Sequence, residues 1–139
     1  MASTIQNAFT GLHRLIYRAS GGRIGGRMVG LGVLLLTTTG SKSGQPRTTP
    51  LGYVRDGEAY VIIASNGGAD RHPAWYFNLQ QQPRAQIQLL GETFEVNTEM
   101  LHDAERERVW SLVLRDASIY GGYEKKTSRA IPLVRLTRA

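Results

Sequence analysis

Val33-Leu34-Leu35-Leu36-Thr37-Thr38-Thr39-Gly40-Ser41-Lys42-Ser43-Gly44-Gln45-Pro46-Arg47 reads as a strand, a tight polar turn and the start of a returning strand. The unbroken apolar half, 33–36, is what burial on both faces of a sheet requires. Residues 47–55 carry the return. Asp56-Gly57 is a two-residue hairpin signal, and Ala59-Tyr60-Val61-Ile62-Ile63-Ala64 is the third strand. Three consecutive strands joined by short turns run antiparallel.

Further along the chain the pattern continues. Ser65-Asn66-Gly67-Gly68-Ala69-Asp70 is a polar, glycine-rich loop. Pro73 suits the first residue of a short helix over 73–81, because that position has no amide bond to lose, and Pro83 closes it. Residues 85–90 and 92–100 form a hairpin around Gly91. Asp103 is placed to cap a helix from Ala104 to about Asp116, with Val109, Leu112 and Val113 as its buried stripe. A loop over 118–127 then precedes a last strand over 131–136, and Pro132 marks that strand as one starting at an edge.

Before the first strand, Ile5, Phe9, Leu12 and Ile16 recur at helical spacing and predict an amphipathic helix over about 4–18. Such a helix either packs on a core or docks on a membrane surface. About six strands, mostly joined by hairpins and interrupted by short helices, make a mainly β, α+β fold: an antiparallel barrel with peripheral helices. Parallel βαβ order is absent from the pattern, which argues against a Rossmann fold. No linker or repeat divides the sequence, so 1–139 is expected to be one domain.

Composition narrows the chemistry. There is no cysteine, which excludes disulfides, thiolate metal ligands and cysteine nucleophiles. His13, His72 and His102 lie far apart and lack a zinc-binding pair, and His72 fits a helix cap beside Pro73. No Gly-x-Ser-x-Gly elbow supports a hydrolase. Arg14 and Arg18 interrupt any secretory apolar run, so the expected compartment is the cytoplasm, with peripheral membrane contact through the N-terminal helix left open.

Charge is distributed unevenly. Arg14, Arg18, Arg23, Arg27, Lys42, Arg47 and Arg55 precede the first acid, Asp56, and account for the whole net charge of +6. Such a block suits an anionic partner. Nucleic acid is set aside, because no array of stacking aromatics accompanies the cations. The 40–44 loop has the wrong spacing for a nucleotide phosphate loop. Its amides, with Lys42 and Arg47, could still cradle an anion. The 65–68 loop offers a second donor-rich turn, and Trp75 beside it could wall a planar ligand or serve as core. Tyr120 and Tyr123 could hydrogen-bond an acceptor oxygen or could be ordinary half-buried tyrosines.

Taken together, the 34–47 stretch, Ala64-Ser65-Asn66-Gly67-Gly68 and Pro73-Ala74-Trp75-Tyr76-Phe77-Asn78-Leu79 resemble the deazaflavin (F420)-dependent nitroreductase family. Tyr17 with Gly21-Gly22-Arg23, and Ile131-Pro132, extend the resemblance over nearly the whole chain. It implies a split β-barrel related to FMN-binding barrels, with coenzyme F420 as cofactor. It implies that Lys42, Ser43, Gln45 and Arg47 hold the phosphate-bearing side chain, with Thr49, Pro50 and Ala64 as further cofactor-binding residues. Ser65, Asn66, Gly67, Gly68, Trp75 and Asn78 line the deazaflavin. Tyr120 and Tyr123 cover ring and acceptor, and with Ser65 they are the candidate catalytic residues.

The implied activity is reduction of a quinone, nitro compound or other activated acceptor by F420H2. An FMN-dependent barrel reductase and a non-catalytic F420 carrier are the alternatives. Three positions depart from the family pattern. Gly52 stands where some relatives have an aromatic, Ala117 where a further tyrosine can occur, and Asn66 where some have lysine. Acceptor preference is therefore not carried over, and the oligomeric state is not specified.

Overall fold

Six strands close into one antiparallel ring in the computed structural model, which describes residues 32–139. They are β1 (Gly32–Thr39), β2 (Pro46–Asp56), β3 (Ala59–Ile63), β4 (Arg84–Leu89), β5 (Glu92–Met100) and β6 (Leu133–Arg138). Three α-helices join them: α1 (Ala74–Gln81), α2 (Asp103–Asp116) and α3 (Ile119–Lys126). The helix expected over 4–18, and the cations Arg14, Arg18, Arg23 and Arg27, lie outside the described residues.

Around the ring the order is β1-β2-β3-β6-β5-β4. Hairpins supply β1–β2, β2–β3 and β4–β5. The last strand enters between β3 and β5, where Ile62 faces Val134 and Thr98 faces Leu136. Pairing of β1 with β4, through Leu36↔Ile87 and its two neighbours, closes the circle. Closure leaves no open strand edge. Pro132 was expected to mark an edge, yet β6 has a partner on each side. The strand begins after the proline, at Leu133, so the missing amide lies outside the ladder, and the Pro132 carbonyl still accepts from the Ala64 amide at 3.0 Å.

Alternation along the strands divides the core. Leu34 and Leu36 of β1, Ile62 of β3, Ile87 of β4, Val96 of β5, and Val134 and Leu136 of β6 form one cluster. These residues come from all around the ring, and only its interior is common to them. Val61 and Ile63 point the other way, meeting Leu133 and the helical residues Val109, Trp110 and Val113 on the outside. This explains why β3 is apolar at consecutive positions. Each such side chain contributes roughly 1.5–3 kcal/mol on burial.

Local corrections have local causes. Asp56 pairs with Ala59, so the turn residues are Gly57 and Glu58, with Gly57 at φ +62°, one residue beyond the expected dipeptide. Trp110, not Leu112, completes the buried stripe of α2, because Val109, Trp110 and Val113 share the helix face that meets Val61 and Ile63, and the helix opens at Asp103 with His102 in the cap position. Asp103 adds its charge to the first turn and does not cap it by a side-chain bond. The expected loop over 118–127 is the helix α3. Its two glycines are tolerated because Tyr120 is buried against the α2 cluster and anchors it. Among the described residues no helix is long and apolar enough to cross a membrane.

Candidate functional site

The turn between β1 and β2 is held from inside. The Gly40 amide donates to the Gln45 carbonyl at 2.8 Å and the Gly44 amide to the Gly40 carbonyl at 2.9 Å. Gln45 donates its amide to Ser43 Oγ at 3.1 Å, and Ser41 donates its amide to Asn78 Oδ1 on α1 at 2.9 Å. Four amides are thus committed within the protein. Among side chains, Lys42, Arg47 and the Ser43 hydroxyl, which also accepts from Arg47 Nη2 at 3.3 Å, supply the anion-facing chemistry of the turn.

After β3 the chain makes a short 3-10 turn over Asn66–Gly68, with Asn66 at φ +48°, Gly67 at +66° and Gly68 at +85°. Only Gly68 is also forced by crowding. A Cβ there would lie 3.1 Å from the Tyr123 carbonyl oxygen and as close to the Lys126 side chain. The turn therefore packs directly against α3. Arg129 reinforces this contact from the segment after α3, donating to the carbonyls of Ala64, Ser65 and Ala69.

Both turns open onto one cleft of about 1090 Å³, large against the ~300–1,000 Å³ of small-molecule sites. Lys42, Ser43 and Arg47 line it from the first turn, with Thr49 and Pro50 following on β2. Ser65, Asn66 and Gly67 line it from the second turn, and Trp75 and Asn78 from α1. Tyr120 and Tyr123 face it from α3. Along β2 the lining runs continuously from Arg47 to Gly52, roughly 17 Å of extended chain.

Three expected residues stand back from the cleft. Gln45 contributes its backbone to the first turn, Ala64 is fully buried in the barrel cluster, and Gly68 faces α3. Asn78 lines the cleft but spends its side chain on the protein: besides Ser41 it bonds Thr38, its Nδ2 donating to Oγ1 at 3.0 Å. Trp75 is 6% exposed, so it is both core and cleft wall.

The two tyrosines, three residues apart on α3, share one helix face. Their rings meet edge to face with centroids 5.6 Å apart. Burial, and secondarily Tyr123, push the Tyr120 phenol above its ordinary value, so it stays protonated and able to donate.

Arg71 and His72 also line the cleft and were not among the expected binding residues. His72 was read as a cap, but Pro73 holds that position. Its ring packs on Tyr76 at 4.8 Å, and its Nδ1 meets Arg129 Nη1 at 2.9 Å. Arginine has no acceptor, so Nδ1 accepts and the proton resides on Nε2. Burial, then Arg129, hold His72 below the ordinary imidazole value, which favours that neutral form. Arg71 carried a detectable signal, as a third cation beside a glycine-rich loop. Arg129 had none, because its partners are about sixty residues away in sequence.

A deazaflavin with a phosphate- and carboxylate-bearing tail suits this donor set. The cations Lys42, Arg47 and Arg71 match its charge, and Trp75, Ile63 and Tyr120 supply apolar and aromatic walls for a planar ring. The sequence pattern of the F420H(2)-dependent quinone reductase family matches residues 10–138. An F420H(2)-dependent quinone reductase of Mycobacterium tuberculosis is 47% identical over 131 residues, covering 91% of this chain and 88% of the relative. The solved structure of an F420-H2 dependent reductase (FDR-A) is 36% identical with a TM-score of 0.69, covering 76% of this chain and 93% of the other. A chain solved as a domain-swapped dimer shows the same identity and TM-score over 79% of its length. More distant barrels, such as a haem storage protein of Vibrio cholerae at 21% identity and TM-score 0.54, share the fold. With the fold, the cleft and the whole-length match in agreement, the chain belongs to the F420H(2)-dependent quinone reductase family and is an oxidoreductase that uses coenzyme F420.

Proposed function

We propose that the protein binds F420H2 in the 1090 Å³ cleft and reduces a quinone there. The observation that carries this reading is the convergence of the cationic turn, the glycine-rich turn and the Trp75–Tyr120 walls on one cavity. When bound, the reduced deazaflavin supplies a hydride, and one proton added to the acceptor completes a two-electron reduction. The quinone is preferred to a nitro compound because the matching relatives are quinone reductases.

The residues divide the work. Lys42 and Arg47 neutralise the anionic tail, with Arg71 as a further cation. Ser65, Asn66 and Gly67 form the turn against which the ring rests, and Trp75 walls the same cavity from α1. Tyr120 and Tyr123 cover the acceptor, their phenols within the cleft to orient an oxygen by hydrogen bonding. Leu51 and Gly52 on β2 line the same cavity, and Gly52 contributes no side chain to it. Closing ligands among these side chains excludes water and aligns the reacting atoms.

Titration of the purified protein with F420 and with FMN, followed by oxidation of F420H2 with menadione, tests the reading. Tight F420 binding with menadione-dependent turnover is expected. Lys42→Ala and Arg47→Ala should each weaken F420 about tenfold or more and flatten its dependence on ionic strength. Preference for FMN, or F420 binding without reoxidation, would replace the proposal by the flavin-reductase or carrier reading respectively.

A further inference from the structure

Arg129 stands between α3 and β6, far in sequence from the cleft turns, yet three of its five N–H groups point at one of them and a fourth at His72. Nε donates to the Ala69 carbonyl at 2.9 Å, Nη2 to the Ser65 carbonyl at 2.8 Å, and Nη1 to the Ala64 carbonyl at 3.2 Å. The other Nη1 hydrogen goes to His72 Nδ1 at 2.9 Å. One planar guanidinium therefore brackets the 66–68 turn, from Ala64 and Ser65 before it to Ala69 after it, and reaches the cleft histidine beyond. No ammonium group could reproduce this fork, because its three donors radiate from a single atom.

Two further contacts run in parallel. Thr127 Oγ1 donates to Asp70 Oδ1 at 2.8 Å, and the α carbon of Gly68 lies against the backbone of Tyr123. The Gly68 contact joins the turn to α3 itself, and the other two join it to residues 127–129, which follow directly on the helix carrying Tyr120 and Tyr123. Apolar packing contributes little to the turn itself, whose residues Asn66 and Gly67 are exposed. Its shape depends on polar ties, and Arg129 provides three of the four side-chain hydrogen bonds that reach it from the segment after α3.

We propose that Arg129 is a positioning residue of the cleft: it locks the 65–70 turn to the α3 tyrosines, setting the spacing between the surface that receives the cofactor ring and the hydroxyls that receive the acceptor. It rests on the cofactor reading of this cleft. Arg129 touches neither ligand; it acts through the turn and through the tautomer it imposes on His72.

The test compares wild type with Arg129→Met, which keeps the length of the side chain, and Arg129→Lys, which keeps its charge. Hydrogen exchange on the ligand-free proteins reports the turn directly, at the Gly68 and Ala69 amides that donate to Ser65 and Asn66. Titration with F420 and steady-state turnover with menadione report the site, at a temperature where each variant is folded by circular dichroism. Loss of the charged hydrogen bonds should speed exchange at Gly68 and Ala69 about tenfold in Arg129→Met while β3 amides stay protected. F420 dissociation should rise about tenfold, and kcat at saturating cofactor should fall by a similar factor, with Arg129→Lys intermediate. Unchanged exchange at the turn would overturn the proposal. So would faster exchange accompanied by dissociation and kcat within twofold of wild type, which would make Arg129 a structural brace alone. If Arg129→Met fails to fold, Arg129→Lys decides by the same readings. A wild-type chain that does not bind F420 brings down the cofactor reading and this one together; a wild type that binds, with variants that match it, brings down only this one.

Discussion

Asn78 links the two sides of the cleft: from α1 its Oδ1 accepts the Ser41 amide at 2.9 Å while its Nδ2 donates to Thr38 Oγ1 on β1 at 3.0 Å. Both amide ends are used, and the side chain is 5% exposed. The role of Asn78 is thus to hold the cationic turn in place. Asn78→Ala should lower unfolding free energy by about 2 kcal/mol in urea denaturation, since it leaves two polar groups without their partner. The same variant should weaken F420 in fluorescence titrations although no cation has been removed.

Tyr120 presents a buried phenol held protonated by its surroundings. Since its value is raised, ionisation of this group cannot remove activity below about pH 10. Tyr120→Phe should reduce kcat with menadione at least about tenfold while F420 affinity stays within twofold. Equal turnover under saturating cofactor would remove the hydroxyl from the mechanism.

A surface network ties the β2–β3 hairpin to α2 and β6. Arg108 bridges Asp56 and Glu105, each at 2.8 Å, and Arg135 contacts Asp56, Glu99 and Glu105. Hydrogen bonds from Arg108 first, then Arg135, hold the Glu105 carboxyl at about 2, against an ordinary 4.5. The folded value is depressed, so the stability it lends is complete above pH 4.5 and vanishes as pH falls toward 2. Glu105→Gln should lower Tm at pH 7, and its difference from wild type should close between pH 4.5 and 2 in calorimetric scans. High salt should shrink the difference at neutral pH, because Glu105 and Arg108 are exposed to solvent.

Leu90 and Gly91 connect β4 and β5 with φ of +50° and +84°. This is the backbone of a two-residue turn that favours Asn-Gly. Leucine in the left-handed region costs roughly 1–2 kcal/mol, and Leu90 is 78% exposed, so packing returns little. Leu90→Asn should raise stability by about 1 kcal/mol without altering F420 binding. A lower midpoint in urea would show that the leucine contributes in a way the turn geometry does not explain.

Much of the barrel can be read from local pattern. Apolar residues at consecutive positions in 33–36 and 61–64 imply burial on two faces; for 61–64 the interior and outer clusters supply those faces, and in 33–36 Leu34, Leu35 and Leu36 are all buried. Gly57 and Gly91 mark hairpins because positive φ is inexpensive only there. Where the reading failed, a distant contact outweighed the local signal. Tyr120 and Tyr123 looked like loop residues beside Gly121 and Gly122, but burial against Trp110 and its neighbours makes that segment a helix. Pro132 looked like an edge signal, but the strand starts one residue later and closes the ring between β3 and β5.

The same division holds for the site. Lys42, Arg47, Ser65 and Trp75 announce themselves through short motifs, because charge, small loops and aromatics are properties of residues and their immediate neighbours. By itself, then, the order of residues determined the antiparallel barrel, the family and the cofactor. Only the tertiary structure decided that Asn78 braces a turn, that Gly68 faces a helix, and that Arg129 and His72 complete the cleft. Those roles depend on hydrogen bonds and close contacts spanning roughly forty to sixty-five residues of chain, and such partners become neighbours only after the ring has closed.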